Sequence, residues 1–268
     1  MRRLNHATPS SWAWAAAGVL AGALSALLVF APARWLAAAV QQISKGRLVL
    51  AEPQGSVWKG SAQLVLTGGA GSSEVMALPG RIAWKILPTW GAWQLLLDAP
   101  CCTPNSLQVE ATPRWGSLNL TLKDSHTQWP AELLTGLGTP WNTVQAQGVL
   151  DLSTQGLSLS LSQGQIAMAG QAQLEALDVS SRLSTLKPMG SYRLSLKGGN
   201  QNGEPIGMKL STLQGSLHLN GQGHWKDSRW QFEGAASATP ERLDALSNLL
   251  NIIGQRDGSR SLITIGKS

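Results

Sequence analysis

Residues 156–162 read G-L-S-L-S-L-S, a strict alternation of apolar and polar side chains. Because successive side chains of a β-strand point to opposite faces of the sheet, the three leucines share one face and the serines the other. The same period of two recurs in residues 81–86 and in residues 116–122. Small polar turns separate such stretches at intervals of about ten residues, a spacing typical of all-β proteins.

From residue 47 onward the alternation predicts a large, mainly antiparallel β-domain, built as one long curved sheet, a barrel or a sandwich. A short helix is expected near the C terminus, because Thr239 and Pro240 form a typical helix start. Gly254 is expected to end this helix in the left-handed conformation. We expect the helix to bury one apolar face against the sheet. The residues of that face are Leu243, Leu246, Leu249, Leu250 and Ile253.

Residues 125–141 break the alternation near the middle of the domain. Pro130 suits the first position of a helix, since the N–H group that proline lacks is not needed there. We expect one or two helical turns followed by an ordered loop. This segment would divide the β-domain into two halves, residues 46–128 and residues 142–268.

An uncharged run precedes the β-domain. Residues 12–30 read WAWAAAGVLAGALSALLVF, and no Asp, Glu, Lys or Arg occurs between Arg3 and Arg34. About 20 apolar residues in helical form span the hydrocarbon core of a bilayer, because a helix satisfies all its own backbone hydrogen bonds. The run therefore predicts a single transmembrane helix within residues 12–36.

The basic residues Arg2 and Arg3 set the expected orientation of this anchor. They predict that residues 1–11 stay in the cytoplasm and that residues 37–268 form a periplasmic domain. Two alternatives are a signal peptide cleaved at the A-P-A of residues 31–33 and a buried helix of a soluble protein. The uncleaved anchor is favoured, because the run exceeds the roughly 7–15 apolar residues of a signal peptide.

The sequence contains no recognisable catalytic or metal-binding motif. It has no G-x-S-x-G, H-E-x-x-H or P-loop pattern, and no cofactor is expected. A carbohydrate-cleaving enzyme would need two carboxylates facing across a cleft, and nothing in the spacing selects such a pair. The net charge of +6 is spread along the chain rather than clustered, which disfavours a nucleic-acid partner. Cys101 and Cys102 are adjacent, so they form either a strained disulfide with each other or a loop without a catalytic role.

Tryptophan is unusually frequent, with 12 residues against one tyrosine and two phenylalanines. Tryptophans are more often core or edge residues than a surface for stacking sugars. An open sheet edge is a template for adding a strand of another protein, so we expect partner contacts at an edge or at tryptophan-bearing turns. The candidate contacts are Trp58, Trp84, Trp129, Trp141 and Trp225.

Several stretches follow the N-terminal anchor in an order that is specific, although each is weak alone. They are GSVWKGSA (residues 55–62), LPGRIAW (78–84), WPAELLTGLGTPWNT (129–143), PMGSYRL (188–194), LSTLQGSLHLNGQGHW (210–225) and LLNIIGQRDGSRS (249–261). Together they resemble the protein N family of the bacterial type II secretion system. The resemblance implies a non-enzymatic inner-membrane accessory with a periplasmic β-domain. Its implied partners are the inner-membrane platform or the proteins that link it to the secretin.

The predicted architecture also resembles the AsmA-like class of long, curved sheets with an apolar inner trough. The alternating leucines would line such a trough. This resemblance implies a rival function, in which the periplasmic domain holds or passes a lipid.

Overall fold

The computed structural model describes residues 11–69, 75–139, 141–162, 165–199, 205–226 and 229–266. Within these residues, sixteen strands form a single antiparallel sheet. The helices are α1 (Ser11–Val29), α2 (Ala33–Ile43), α3 (Trp141–Val144) and α4 (Leu243–Ile253), with short 3₁₀ helices at Ala131–Leu137 and Pro240–Arg242. The strands are β1 (Leu48–Gly55), β2 (Lys59–Thr67), β3 (Val75–Ala77), β4 (Ile82–Thr89), β5 (Ala92–Asp98), β6 (Leu107–Arg114), β7 (Ser117–Leu122), β8 (Ser125–Pro130), β9 (Gln147–Ser162), β10 (Gln165–Ser180), β11 (Gly190–Lys197), β12 (Gly207–Gly215), β13 (Leu217–Lys226), β14 (Arg229–Ala238), β15 (Gln255–Asp257) and β16 (Arg260–Ile265).

The sheet is a meander in which most strands pair with their neighbours in sequence. The order is β1-β2-β4-β5-β6-β7-β9-β10-β11-β12-β13-β14-β16-β15, with β3 beside β2 and β8 beside β9. Short connections favour this arrangement, because antiparallel neighbours need only a hairpin between them. The mainly β, antiparallel fold predicted from the alternation is therefore confirmed. The predicted halves, residues 46–128 and residues 142–268, meet in this one sheet through the pairing of β7 with β9.

The two ends of the sheet differ in how the strands are connected. At one end, which we call the hairpin end, short turns at residues 56–58, 90–91 and 115–116 join successive strands. At the opposite end, the helix end, most connections are longer and carry the 3₁₀ helices, α3 and α4, although Ser216 alone joins β12 to β13 there. In an antiparallel meander alternate connections return to the same end, so this division follows from the topology.

The core lies on one face of the sheet and is concentrated toward the helix end. A first cluster, which includes Leu50 and Trp84, packs beneath α2. Trp129 belongs to both this cluster and a third one around Leu150. Val144 then joins the third cluster to a second one, which α4 covers. The three clusters thus form one continuous band along the sheet, because the helices and long connections cover the apolar face there.

The C-terminal helix packs as predicted, but its end differs. Leu246, Leu249 and Leu250 of α4 are buried against the sheet, which confirms the predicted apolar face. The predicted left-handed conformation of Gly254 is wrong, since its φ of −167° is extended backbone. A glycine is needed there for a different reason: a Cβ atom would collide with the carbonyl group of Leu262.

The N-terminal segment is divided at Pro32. Proline has no N–H group to continue a helix and disfavours a helical preceding residue, so α1 ends before it and α2 begins after it. Leu36 and Val40 of α2 pack on the first core cluster, so the end of the expected anchor belongs to the β-domain. None of the helices in the described residues combines the length and apolarity that a membrane crossing requires, so the transmembrane helix expected within residues 12–36 is not confirmed. The expected cytoplasmic N terminus lies outside the described residues, apart from Ser11.

The middle segment agrees with its prediction in part, since the expected one or two helical turns are formed by the 3₁₀ helix Ala131–Leu137. Residues 125–130, which break the alternation, form strand β8 and pair with β9. Pro130 precedes the 3₁₀ helix Ala131–Leu137 instead of occupying its first position. Backbone pairing with a long neighbouring strand outweighed the weak local pattern here, as is common for strands whose sequence preference is slight.

Candidate interaction surfaces

Trp84 is a core residue and not a surface for partners. Only 4% of it is exposed, and its indole N–H donates to the carbonyl oxygen of Val57 at 3.0 Å. The ring occupies space left by Gly60, where an added Cβ would lie 2.5 Å from it. The prediction of Trp84 as a partner contact is therefore wrong, because a buried side chain cannot reach another protein.

Three other predicted contacts are half-buried. Trp129 lies between two core clusters and donates from its ring N–H to the Thr127 hydroxyl at 2.9 Å. Trp225 packs edge-to-face on Trp230, with ring centres 5.3 Å apart. Trp58 stacks on Trp93, with ring centres 5.5 Å apart. These rings chiefly stabilise the sheet through contacts with their own chain.

Trp141 is more exposed than the other predicted contacts. Its exposed fraction is 41%, and it begins α3 at the helix end of the sheet. It therefore presents part of its indole to the surroundings, at the end opposite to the hairpin turns.

Two fully exposed tryptophans were missed by the sequence analysis. Trp90 and Trp115 have exposed fractions of 106% and 105% and stand at the tips of two hairpins. Each is followed by a glycine with a φ near the left-handed region, 74° at Gly91 and 73° at Gly116. Two-residue hairpin turns require such backbone angles, which glycine adopts without strain. The repeated Trp-Gly pair between alternating strands was the signal that could have identified them.

An exposed apolar row continues from these tips across the sheet. Leu118 on β7 pairs with Leu161 on β9, and Leu161 pairs with Ile166 on β10. Directly opposed residues of antiparallel strands share one face, so these three side chains are neighbours. All three remain substantially exposed. The helices that cover the core at the helix end leave this part of the apolar face open.

Helix α1 joins the β-domain at the same hairpin end. The indole N–H of Trp58 donates to the carbonyl oxygen of Leu28 at 2.8 Å. The backbone N–H of Val57 donates to the carbonyl oxygen of Ala31, also at 2.8 Å. Large apolar side chains of α1 are exposed on all sides of the helix, because their sequence positions cover the full turn. They are Trp12, Trp14, Val19, Leu20, Leu24, Leu27, Leu28 and Val29.

The two edges of the sheet differ in how open they are. At the β1 edge, Pro53 lacks a donor and the register shifts between Ala51 and Gln54, two features that discourage strand addition. At the other edge, β15 pairs with β16 only over Gln255–Asp257. Among the described residues, Ile263 to Ile265 therefore pair on one side alone, with β14. The C-terminal edge is the one that offers free backbone groups.

The adjacent cysteines lie in the loop between β5 and β6. The structure pairs Cys101 with Cys102 in a disulfide. Cys102 is buried in the first core cluster, and its carbonyl oxygen accepts a hydrogen bond from the N–H of Gln128 at 2.9 Å. This loop therefore packs against β8.

Some of the charged side chains form pairs across neighbouring strands. His126 lies 2.7 Å from an oxygen of Asp151 across β8 and β9, and Arg193 lies 2.8 Å from Glu175 across β10 and β11. Throughout the described ranges, no three His, Cys, Asp or Glu side chains are grouped to hold a metal ion. Open clefts of about 740 and 670 Å³ lie near the hairpin end of the sheet.

A large antiparallel sheet with open apolar surface, one open edge and an exposed apolar helix defines the structural class, a mainly β domain preceded by an apolar helix. Comparison with known proteins names the family. The family model for type II secretion system (T2SS), protein N, matches residues 46–263, which is most of the chain. The chain therefore belongs to the type II secretion system protein N family. No curated protein and no solved structure matches the chain.

Family membership supports an accessory role in type II secretion, within the cell envelope and among other components of that system. The family is a component of a secretion system and not a known family of enzymes.

Proposed function

We propose that this protein is a non-enzymatic, partner-binding accessory of the type II secretion system. It supports export of folded proteins from the periplasm across the outer membrane. A single-pass anchor within residues 12–36 holds it at the inner membrane, with residues 1–11 in the cytoplasm and residues 37–268 in the periplasm. Its partners are the inner-membrane platform or the proteins that link the platform to the secretin.

The uncharged N-terminal run supports the membrane arrangement. Residues 4–33 contain no Asp, Glu, Lys or Arg. A helix that is apolar on every side needs an apolar environment, and α1 presents such side chains without a covering layer from the sheet. A reporter enzyme fused after Ser268 tests the topology. Activity of a periplasm-specific reporter supports the arrangement, and activity of a cytoplasm-specific reporter refutes it.

The open C-terminal edge is the observation that carries partner binding. Ile263 to Ile265 of β16 pair with β14 on one side, and β15 leaves their other side free within the described chain. Leu262 and Ile265 are exposed at 46% and 57%. An incoming strand would gain backbone hydrogen bonds along this edge and apolar contacts with these side chains.

A charge placed on this edge tests the proposal. Lysine on an edge strand discourages pairing with another chain, so Ile265→Lys should reduce co-isolation of other secretion components and the export of folded substrates. Val75→Lys is the matched control, since Val75 is exposed at 61% on β3, far along the sheet. Full partner recovery and export in Ile265→Lys, with normal protein levels, would contradict strand addition at this edge.

Lipid binding is the second candidate function, and the uncovered apolar face favours it. Leu118, Leu161 and Ile166 lie side by side in register and remain exposed. Native mass spectrometry of the full chain, released from detergent, tests this candidate. A bound phospholipid that is lost in Leu161→Gln would support it, whereas a chain that never carries lipid would exclude it.

A further inference from the structure

The hairpin tips carry a residue that their turns do not need. In both turns only the glycine has a positive φ, so the position before it has no such backbone requirement and does not call for a particular side chain. Trp90 and Trp115 occupy that position, and each exposes its whole indole. They bury nothing against their own chain, so their value lies in contact with something outside it. We propose that the hairpin end lies on the headgroup layer of an anionic bilayer, with both indoles inserted at the membrane interface.

Both tips point the same way and lie close together. The turn of Trp90 joins β4 to β5, and the turn of Trp115 joins β6 to β7. Since β5 pairs with β6, the two tips are separated by two strand spacings, about 10 Å. Two rigid hairpins of similar reach therefore present their indoles to one surface together. Tryptophan is enriched at membrane interfaces, where its ring contacts acyl chains while its N–H group stays hydrated.

The apolar row extends this surface beyond the tips. Leu118 lies one residue past the turn pair Arg114–Ser117 and is followed across the sheet by Leu161 and Ile166. These side chains lie at the same end as the indoles, so a bilayer surface that receives the tips also reaches them. Insertion would remove apolar area from water at both places.

The charges near the tips complement anionic lipid. Arg114, Lys59 and Lys85 are exposed. Lys59 and Lys85 are directly opposed on β2 and β4, an arrangement of like charges that destabilises a sheet unless an anion lies nearby. No Asp or Glu occurs in residues 55–60, 85–93 or 112–119. Basic residues close to a bilayer gain from its negative surface potential.

The position of α1 agrees with this orientation. Trp58 donates to Leu28 in its last turn, and Val57 donates to Ala31, two residues after the helix ends, both at the hairpin end. A helix that enters the membrane from this point brings the neighbouring tips of Trp90 and Trp115 to the membrane surface. The inference rests on the proposed inner-membrane location and adds which end of the sheet faces the bilayer.

Photo-crosslinking of the full chain tests this contact. The crosslinking residue p-benzoylphenylalanine replaces Trp90, Trp115 or, as the control, Trp141 at the helix end. Each protein is reconstituted in vesicles of phosphatidylethanolamine and phosphatidylglycerol, irradiated, and analysed by mass spectrometry. The same positions are then compared in bacterial cells, where secretion proteins compete with lipid for the crosslink.

Lipid adducts at positions 90 and 115 but not at position 141, in vesicles and in cells, are the expected result. Protein adducts in place of lipid adducts at positions 90 and 115 in cells would overturn the proposal in favour of a protein interface. Absence of lipid adducts at both positions in vesicles would overturn it as well. Alkaline carbonate extraction of the same membranes tests the anchor separately: a retained chain without lipid adducts refutes the hairpin contact, and a released chain refutes the anchor.

Discussion

Tyr192 provides a sharp test of the packing described for the helix end. It is the one tyrosine of the chain and lies on β11 in the second core cluster, with 7% of its surface exposed. Among the described residues, its hydroxyl group has no hydrogen-bond partner. Gly190 leaves room for it, because a Cβ there would lie 2.8 Å from the hydroxyl oxygen. Burial raises the pKa of Tyr192 well above its usual value of 10.

The substitution Tyr192→Phe removes the hydroxyl and keeps the ring. A buried polar group without a partner costs about 1–3 kcal/mol, so the variant should be more stable by about 1–2 kcal/mol at neutral pH. The matched control, Tyr192→Ala, removes the ring as well. It should lose about 3–5 kcal/mol through the cavity it leaves.

The pH dependence of stability follows from the direction of the pKa shift. The folded-state pKa lies above the unfolded value of 10. Below about pH 10 the phenol is therefore neutral in both states, and its ionisation does not change the free energy of unfolding. Above that pH the unfolded state releases the proton more readily. This group then reduces the free energy of unfolding by about 1.4 kcal/mol for each further pH unit until the folded pKa is reached. The free energy of unfolding of Tyr192→Phe should not show this decrease at alkaline pH, because phenylalanine has no proton to release.

The assay is denaturant unfolding of the full chain in detergent, monitored by circular dichroism. It is carried out at about pH 8 and at about pH 11. Because no other tyrosine absorbs, the near-ultraviolet band of tyrosinate reports this residue alone during an alkaline titration. A tyrosinate band that appears near the usual pKa in the folded protein would refute the buried environment. A Tyr192→Phe variant less stable than the wild type would show that the hydroxyl has a partner.

Two further predictions concern packing, and both are measured by denaturant unfolding. Leu249→Ala should lower the free energy of unfolding by about 3 kcal/mol, because the side chain is 1% exposed. Ile252→Ala, on the exposed side of α4, should lower it by less than about 1 kcal/mol. Equal losses would contradict the orientation of the helix. Gly60→Ala should lower the free energy of unfolding by about 1–3 kcal/mol, since its Cβ would collide with Trp84. Gly207→Ala meets open space, so it should leave stability unchanged or raise it slightly. Unchanged stability in Gly60→Ala would contradict the close packing.

The sequence predicted elements well where a local pattern was strong. The leucine–serine alternation of residues 156–162 forms the end of strand β9, as predicted. Leu246, Leu249 and Leu250 follow the helical period and are buried together on α4. Period two and period 3.6 report which side chains share a face, so they identify strands and helices before any contact is known.

The candidate contacts were less predictable, as Trp84 and Trp90 illustrate. Six positions separate them on the same hairpin, yet one is 4% exposed and the other fully exposed. Alternation assigns Trp84 to a face but does not show that α2 covers the core on that face. The exposure of Trp90 depends on the two-residue turn formed with Gly91, which only the pairing of Thr89 with Ala92 establishes.

The amino-acid sequence by itself determined the class of fold, the position of the C-terminal helix and, through the order of its motifs, the secretion family. These properties depend on local periodicity and on residue identity, which are complete in the linear chain. Only the tertiary structure decided which tryptophans are buried, which sheet edge stays open and that α1 meets the sheet at Trp58, at the end that also carries Trp90 and Trp115. Such properties arise from strands distant in sequence that become neighbours, because solvent exposure depends on everything that packs around a residue.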